Sequence, residues 1–195
     1  MTRLDKEQPP VASKPRTSVF VGFLRMIRFS HTVFALPFAL AATIVVAARY
    51  REQVSVTPEK VFLIVLAFTG MRSFAMAVNR LTDRHIDALN ARTAGREIPA
   101  GLLSVHAVQF FAVLSLLATI IAAYFLNPIA GYLALPAAII VAGYSLAKRF
   151  TWLCHFWLGA AIGLAPPAVY VALLQQISPE ALLMQAVLML SLIHI

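Results

Sequence analysis

Charged residues are scarce in this sequence. They make up 12% of its 195 residues, whereas a soluble domain carries about 25%. Acidic residues are scarcer still, with eight Asp and Glu against sixteen Lys and Arg, and no aspartate follows Asp87. Cys154 is the only cysteine, so no disulfide can form within the chain. This composition argues against an ordinary soluble domain and excludes a disulfide-stabilised scaffold.

Apolar residues make up most of the sequence. They account for 61% of the chain, and the mean hydropathy is +0.82. Several runs reach the roughly 20 residues that a helix needs to cross a bilayer, and they are too long and too rich in Ala and Leu for strands. We therefore predict an all-α, polytopic transmembrane helix bundle with six apolar segments: residues 29–48, 61–78, 107–126, 128–147, 153–174 and 181 onward.

Residues 1–18 contain acids and prolines but no apolar stretch, so we predict a disordered, solvated tail rather than a cleaved signal. The basic residues are concentrated in the tail and in every second connection after it. By the positive-inside rule this places the N-terminus and residues 79–101 on the cytoplasmic side. The net charge of +8 is then explained by basic loops, and no nucleic-acid partner is predicted.

The most informative pattern is the recurrence of Asn79, Asp83 and Asp87 at every fourth position. On a helix, residues four apart are offset by only about 40° and about 6 Å, so these three oxygen-bearing side chains share one stripe. Carboxylate and amide oxygens are typical Mg²⁺ ligands, and nearby arginines bind phosphate. The pattern predicts a site for Mg²⁺ with a phosphate group. The alternative is a solvated helix end whose acids pair with the neighbouring arginines Arg80, Arg84 or Arg92.

Cations elsewhere could join that site. Arg72 precedes Asn79 by seven residues, nearly two helical turns, and an arginine within a span faces protein, water or a ligand. Its alternative role is snorkelling or pairing with an acid. The segment 144–149 contributes Tyr144, Lys148 and Arg149 at the next cytoplasmic connection. Alone, its two cations would be ordinary positive-inside charge.

Arg28 and His31 lie at the cytoplasmic start of the first span. Residues at this position are commonly anchors to lipid headgroups. The alternative is contact with an anionic substrate.

Four stretches together resemble one family. They are M-R at 71–72, N-x-x-x-D-x-x-x-D at 79–87, R-T-A-G-R-E-I-P-A-G at 92–101 and Y-S-L-A-K-R-F-T at 144–151. The sequence resembles the UbiA-type intramembrane aromatic prenyltransferases over residues 25–167, and within them the 4-hydroxybenzoate polyprenyltransferases of quinone synthesis.

The resemblance implies nine transmembrane helices around a cavity in which two Asp-rich motifs face each other. Asn79, Asp83 and Asp87 would be the first motif, binding Mg²⁺ and a polyprenyl diphosphate. The diphosphate-binding residues would be Arg72, Arg84, Arg96, Lys148 and Arg149, and the candidates for the aromatic acceptor are Arg28, His31 and Tyr144. It also implies a role in ubiquinone or menaquinone synthesis in the bacterial inner membrane.

The second Asp-rich motif is missing from this sequence, because Glu180 is the only acid after Glu97. The last apolar segment also stops at Ile195 without a polar cap, and residues 190–195 match the translation of a common sequencing adapter. We therefore expect a truncated reading frame. The 195-residue chain would be inactive alone, whereas its full-length parent would be active.

Three other functions fit some of these features. Within the same enzyme class, the acceptor would be a menaquinone precursor or another aromatic compound. A membrane transporter would use Arg72 and the two aspartates as an ion relay, but it favours acids near the bilayer midplane and repeated halves. A non-catalytic membrane scaffold would leave the stripe without a ligand.

Overall fold

A computed structural model describes residues 18–27 and 29–194, with side chains for 18–27 and 36–191. Residues 1–17 of the tail predicted at 1–18 lie outside the described residues, whereas Ser18 is described. The described chain forms helices and contains no strand, as the apolar runs predict. The helices are α1 (Val19–Met26), α2 (Phe29–Arg49), α3 (Pro58–Leu89), α4 (Val105–Leu126), α5 (Pro128–Ala147), α6 (Cys154–Gly163), α7 (Ala165–Leu174) and α8 (Pro179–His194).

Each of the six predicted apolar segments is helical, but the fifth is not one helix. It breaks at Leu164 into α6 and α7. Pro166 and Pro167 lie in the first turn of α7, where their missing N–H groups cost nothing. In the middle of one continuous helix the same two prolines would remove two hydrogen bonds and clash with the preceding turn. The predicted fifth segment at 153–174 is confirmed as one apolar span, Cys154–Leu174, built from two helices that meet at Leu164.

The helix α3 is the longest element, with 32 residues. Its length is roughly 48 Å, compared with a hydrocarbon thickness of about 30 Å. Thr57 caps its start, because the side chain accepts a hydrogen bond from the backbone N–H of Lys60 at 3.3 Å. Because α3 is longer than the hydrocarbon layer is thick, its last three turns can extend beyond that layer while remaining helical. These turns carry Asn79, Asp83 and Asp87. We call this end of the bundle the motif end.

Small residues let the neighbouring helices approach α3 and α6 closely. A Cβ atom on Gly70 would lie 2.5 Å from Thr119 Oγ1 and 2.8 Å from the backbone oxygen of Ser115 on α4. On α6, Gly159 and Gly163 face α8 in the same way, as is typical of small residues spaced four apart in membrane helices. These contacts fix the register of α3 against α4 and of α6 against α8.

The turn between α4 and α5 is tied to α7 by Asn127. Its side chain accepts a hydrogen bond from Ile129 N at 2.8 Å and donates one to the backbone oxygen of Val171 at 2.9 Å. Since Asn127 is buried, both bonds are made away from water, where an unpaired amide would be costly. The predicted segments 107–126 and 128–147 therefore meet at Asn127 in a tight turn.

The short helix α1 is a feature that hydropathy does not reveal. Ser18 caps its first turn, and Phe23 stacks on Phe111 of α4 with ring centroids 4.3 Å apart. A Cβ atom on Gly22 would come within 2.9 Å of Leu103. The helix α1 therefore packs against the segment 90–104, which connects the motif end of α3 to α4.

Candidate functional site

The three stripe residues lie on the last turns of α3 as the fourfold spacing predicts. Asp83 and Asp87 are buried, and Asn79 is half-buried. Because all three are on one continuous helix, their spacing is set by the backbone and spans about 12 Å from first to last. The structure therefore presents a rigid row of one amide and two carboxylates.

Asp83 is held by two cations from the end of α5. Lys148 Nζ donates to Asp83 Oδ2, and Arg149 Nη2 lies 3.6 Å from Asp83 Oδ1. Arg149 also donates to the backbone oxygen of Thr82. Lys148 follows the last residue of α5, so the end of that helix reaches α3 through these contacts. The expectation that the segment 144–149 returns to the same side as the stripe is confirmed.

Asn79 contacts both Asp83 and Lys148. In the orientation that satisfies both ends of its amide, the nitrogen donates to Asp83 Oδ2 at 3.1 Å and the oxygen accepts from Lys148 Nζ at 3.2 Å. Lys148 is thus bound by two neighbouring stripe residues. Asp83 Oδ1, in contrast, is buried and accepts no hydrogen bond from the described residues.

Asp87 is held from a different direction. Arg96 Nη1 lies 2.6 Å and 2.7 Å from its two carboxylate oxygens, and the Asp87 side chain is only 7% exposed. Thr93 is also buried and donates from Oγ1 to the backbone oxygen of Asp87 at 3.0 Å. The segment after α3 therefore folds back over the helix end, where Thr93 and Arg96 both donate hydrogen bonds to Asp87.

A cavity of about 450 Å³ adjoins the stripe. Its α3 lining runs from Ile64 to Asn79, a distance of roughly 22 Å along the helix axis. The polar residues in the lining are Arg72, Asn79, Thr119, Tyr144 and Ser145, and the others are apolar residues of α2 to α7 and the connection after α7. Asn79 is the last α3 residue on this wall, and Asp83 follows one turn later. The cavity is therefore lined mainly by apolar residues, and the amide of Asn79 lies on its wall one turn before Asp83.

Arg72 lies on the cavity wall, and its Nε is buried without a hydrogen-bond partner among the described residues. Such a group is costly unless a ligand or water satisfies it. Tyr144 lines the same cavity, and its ring centroid lies 5.9 Å from Lys148 Nζ. Arg72 and Tyr144 could therefore contact an anionic or aromatic ligand bound in the cavity.

Among the described residues, no contact joins Arg84 or Arg92 to the carboxylates of Asp83 and Asp87. Arg84 donates from Nη1 to the backbone oxygen of Leu81 on its own helix at 2.8 Å. Arg92 is exposed in the turn that follows α3. Arg28 and the side chain of His31 lie outside the described residues, so their roles remain predictions.

The residues present fit a Mg²⁺ site that a phosphate would complete. The described part of the chain has no group of three His, Cys, Asp or Glu side chains able to hold a metal. It does have two buried carboxylates and an amide in a row, and Asp83 Oδ1 still has its lone pairs free of hydrogen bonds. Magnesium commonly uses one or two carboxylates and takes its other ligands from water and substrate phosphates. The cations around the stripe could bind such phosphates.

Comparison with known proteins agrees with this geometry. A model of the UbiA prenyltransferase family matches residues 34–195, which is most of the chain. The chain belongs to the UbiA prenyltransferase family. The 4-hydroxybenzoate octaprenyltransferase of Dechloromonas aromatica is 34% identical over 122 residues, covering 62% of this chain and 41% of that protein. The chain thus spans about two fifths of the length of the curated relatives it matches.

Solved structures of other UbiA homologues share the fold. One from Aeropyrum pernix K1 has a TM-score of 0.73 and 28% identity, over 84% of this chain and 60% of that one. Another, from Archaeoglobus fulgidus bound to DMAPP and Mg²⁺, has a TM-score of 0.56 and 20% identity, over 77% of this chain and 60% of that one. At 20% identity the second likeness shows the fold alone.

Membership of this family agrees with the helix lengths. Four spans in the described part of the chain are long and apolar enough to cross a membrane: Pro58–Leu89, Val105–Leu126, Pro128–Ala147 and Cys154–Leu174. The chain is therefore an integral membrane protein with the all-helical UbiA fold.

Proposed function

We propose that the full-length protein transfers a polyprenyl group from a prenyl diphosphate to an aromatic acceptor in a Mg²⁺-dependent reaction. The observation that carries this proposal is the contact of Asp83 with the cations Lys148 and Arg149, one helical turn beyond Asn79 on the wall of an apolar cavity. This chain supplies one acidic half of the site. A second acidic cluster in the remainder of the protein would complete it.

The stripe residues would hold Mg²⁺, which when bound neutralises the charge that develops on the departing diphosphate. Lys148, Arg149 and Arg96 lie beside the carboxylates and would bind the phosphate oxygens. Cations that contact a leaving group stabilise it in proportion to its growing negative charge, and they do so more strongly away from water. Ionisation of the allylic C–O bond is thereby favoured.

The apolar cavity would contain the isoprenoid chain and keep water from the allylic cation. An electron-rich phenol held against that cation attacks through a ring carbon ortho to its hydroxyl, and loss of a proton restores aromaticity. Tyr144 on the cavity wall is a candidate contact for the acceptor ring. Most of the remaining wall is built from Ala, Leu, Ile and similar side chains that do not act as nucleophiles, and the hydroxyl groups of Thr119 and Ser145 are the exceptions.

We assign 4-hydroxybenzoate as the acceptor because the curated relatives are named for it. Its carboxylate requires a cation, and Arg72, with a buried and unpartnered Nε, is one candidate; Arg28 is the other. The runner-up acceptor is a menaquinone precursor. The excess of basic residues on the motif end favours a cytoplasmic orientation in a bacterial inner membrane.

The test is prenyl transfer by the full-length protein in lipid nanodiscs, measured with labelled prenyl diphosphate and either acceptor. Asp83→Asn should reduce turnover by about 100-fold or more, the usual cost of removing a stabilising group at a developing charge. Glu59→Gln makes the same acid-to-amide change at the opposite end of α3 and should leave turnover unchanged. Transfer that persists in Asp83→Asn, or that needs no Mg²⁺, contradicts the proposal.

A further inference from the structure

Each carboxylate of the stripe is ion-paired to a cation from outside α3. Lys148 and Arg149, from the end of α5, contact Asp83, and Arg96, from the segment after α3, contacts Asp87. These are the oxygens that a divalent cation would need. Magnesium could approach Asp83 through Oδ1, which accepts no hydrogen bond from the described residues, but it competes with these cations for Asp83 Oδ2 and for both oxygens of Asp87.

The charge balance of this group favours joint binding of two ligands. Two carboxylates and three cations leave a net charge of +1. Mg²⁺ alone would raise it to +3, and a diphosphate ester alone, with about three negative charges, would lower it to about −2. Both together bring the group to about neutrality. At a partly buried site either uncompensated state is costly.

The cations are the partners that can move. Their side chains are 24% exposed for Lys148 and 29% for Arg96, whereas Asp83 and Asp87 are 12% and 7% exposed on a continuous helix. Lys148 lies just after the last residue of α5, and Arg96 lies in a non-helical segment. Long, flexible side chains at such positions can change partner without any movement of α3.

We propose that Lys148 and Arg96 are exchangeable counter-ions of the stripe. They neutralise Asp83 and Asp87 before the ligands arrive, and they transfer to phosphate oxygens when Mg²⁺ takes the carboxylates. Mg²⁺ and the diphosphate therefore bind as a coupled pair, each raising the affinity for the other. This inference rests on the proposed function, since it concerns the same site.

One substitution should have opposite effects on the two ligands. In the full-length protein in nanodiscs, the Lys148→Met variant should bind Mg²⁺ about tenfold more tightly than the unmodified protein in the absence of phosphate. It should also bind inorganic pyrophosphate about tenfold more weakly in the absence of metal, within the range usual for coupled sites. Arg25→Met removes an exposed cation from α1 at the same end and should change neither affinity more than about twofold, because exposed charges are screened. Calorimetry or Mn²⁺ resonance gives both affinities.

A second measurement needs no variant. The chain has four lysines, Lys6, Lys14, Lys60 and Lys148, so labelling by an amine reagent can be followed separately at each by mass spectrometry. Mg²⁺ alone should increase the labelling rate of Lys148 by about tenfold as its ion pair with Asp83 is lost. Adding pyrophosphate with Mg²⁺ should protect it again. Lys60, at the opposite end of α3, is the internal control.

The outcomes separate this inference from the proposed function. If Asp83→Asn abolishes Mg²⁺ binding but Mg²⁺ leaves Lys148 labelling unchanged, the stripe binds metal and the exchange is wrong. If Lys148→Met weakens pyrophosphate binding without tightening Mg²⁺ binding, Lys148 is a phosphate ligand only, and the exchange is again wrong. If Asp83→Asn leaves Mg²⁺ binding unaltered, the proposed function fails as well.

Discussion

Replacement of Gly70 by alanine should loosen the contact that holds α3 against α4. The added Cβ would lie 2.8 Å from the Ser115 backbone oxygen and 2.5 Å from Thr119 Oγ1. The hydroxyl can rotate away, but the carbonyl belongs to the α4 backbone and can yield only if the helices separate. Overpacking of this kind costs about 1–3 kcal/mol. Alanine's better helix propensity recovers up to about 1 kcal/mol, so a cost in the middle of that range leaves a net loss of about 1 kcal/mol.

The assay is reversible unfolding in mixed micelles, followed by circular dichroism as denaturing detergent is added. Gly95→Ala is the matched control, because no atom lies within 4 Å of its would-be Cβ, and it should stay within about 0.5 kcal/mol of the unmodified chain. Thr119→Ala in the Gly70→Ala background removes the hydroxyl contact but not the carbonyl contact. The double variant should therefore recover only part of the loss.

A Gly70→Ala chain as stable as the unmodified one would refute this reasoning. It would show that α3 and α4 can separate by several tenths of an ångström without cost. The position of the stripe relative to Lys148 would then not depend on close helix packing. Full recovery in the double variant would instead identify the hydroxyl as the sole obstacle.

Three further predictions concern Arg96 beside the stripe, Asn127 in the turn before α5 and Glu180 at the start of α8. Arg96→Ala removes the ion pair to Asp87, so amide hydrogen exchange in residues 90–103 should become faster, and unchanged exchange would argue that this segment is held by other contacts. Asn127→Ala removes two hydrogen bonds of a buried amide and should reduce the free energy of unfolding by about 1–3 kcal/mol; a loss below 0.5 kcal/mol, read in the same detergent titration, would contradict that role. Glu180→Gln breaks an ion pair with Arg49 in which the arginine is 63% exposed, so unfolding should change by less than about 1 kcal/mol, and a larger loss would be a failure of this prediction.

Much of the architecture could be predicted from the sequence because it depends on local properties. Apolar runs of bilayer length locate the membrane helices, and the fourfold spacing of Asn79, Asp83 and Asp87 places them on one face. The alternation of basic connections brings Lys148 to the same end as the stripe. Each of these inferences needs only helix geometry and charge counting.

What could not be predicted depends on contacts between distant segments. The sequence offers four arginines near Asp87, but only the folded chain shows that Arg96, nine positions later, reaches its carboxylate. The helix α1 has eight residues, too few for a span, and its stability comes from packing on Phe111 and Leu103. The cavity is implied by the family resemblance, but its lining residues come from several helices and could not be read from the pattern of any one of them.

The most direct test of the account is a resonance measurement of Mn²⁺ bound to the full-length protein with a prenyl diphosphate. Mn²⁺ can replace Mg²⁺ at oxygen sites, and its unpaired electrons report on nearby phosphorus nuclei. We predict hyperfine coupling between the metal and the diphosphate phosphorus atoms, and loss of bound Mn²⁺ in Asp83→Asn but not in Glu59→Gln. Bound Mn²⁺ that shows no coupling to phosphorus, or that survives in Asp83→Asn, would contradict the assignment of Asn79, Asp83 and Asp87 as the metal–diphosphate site.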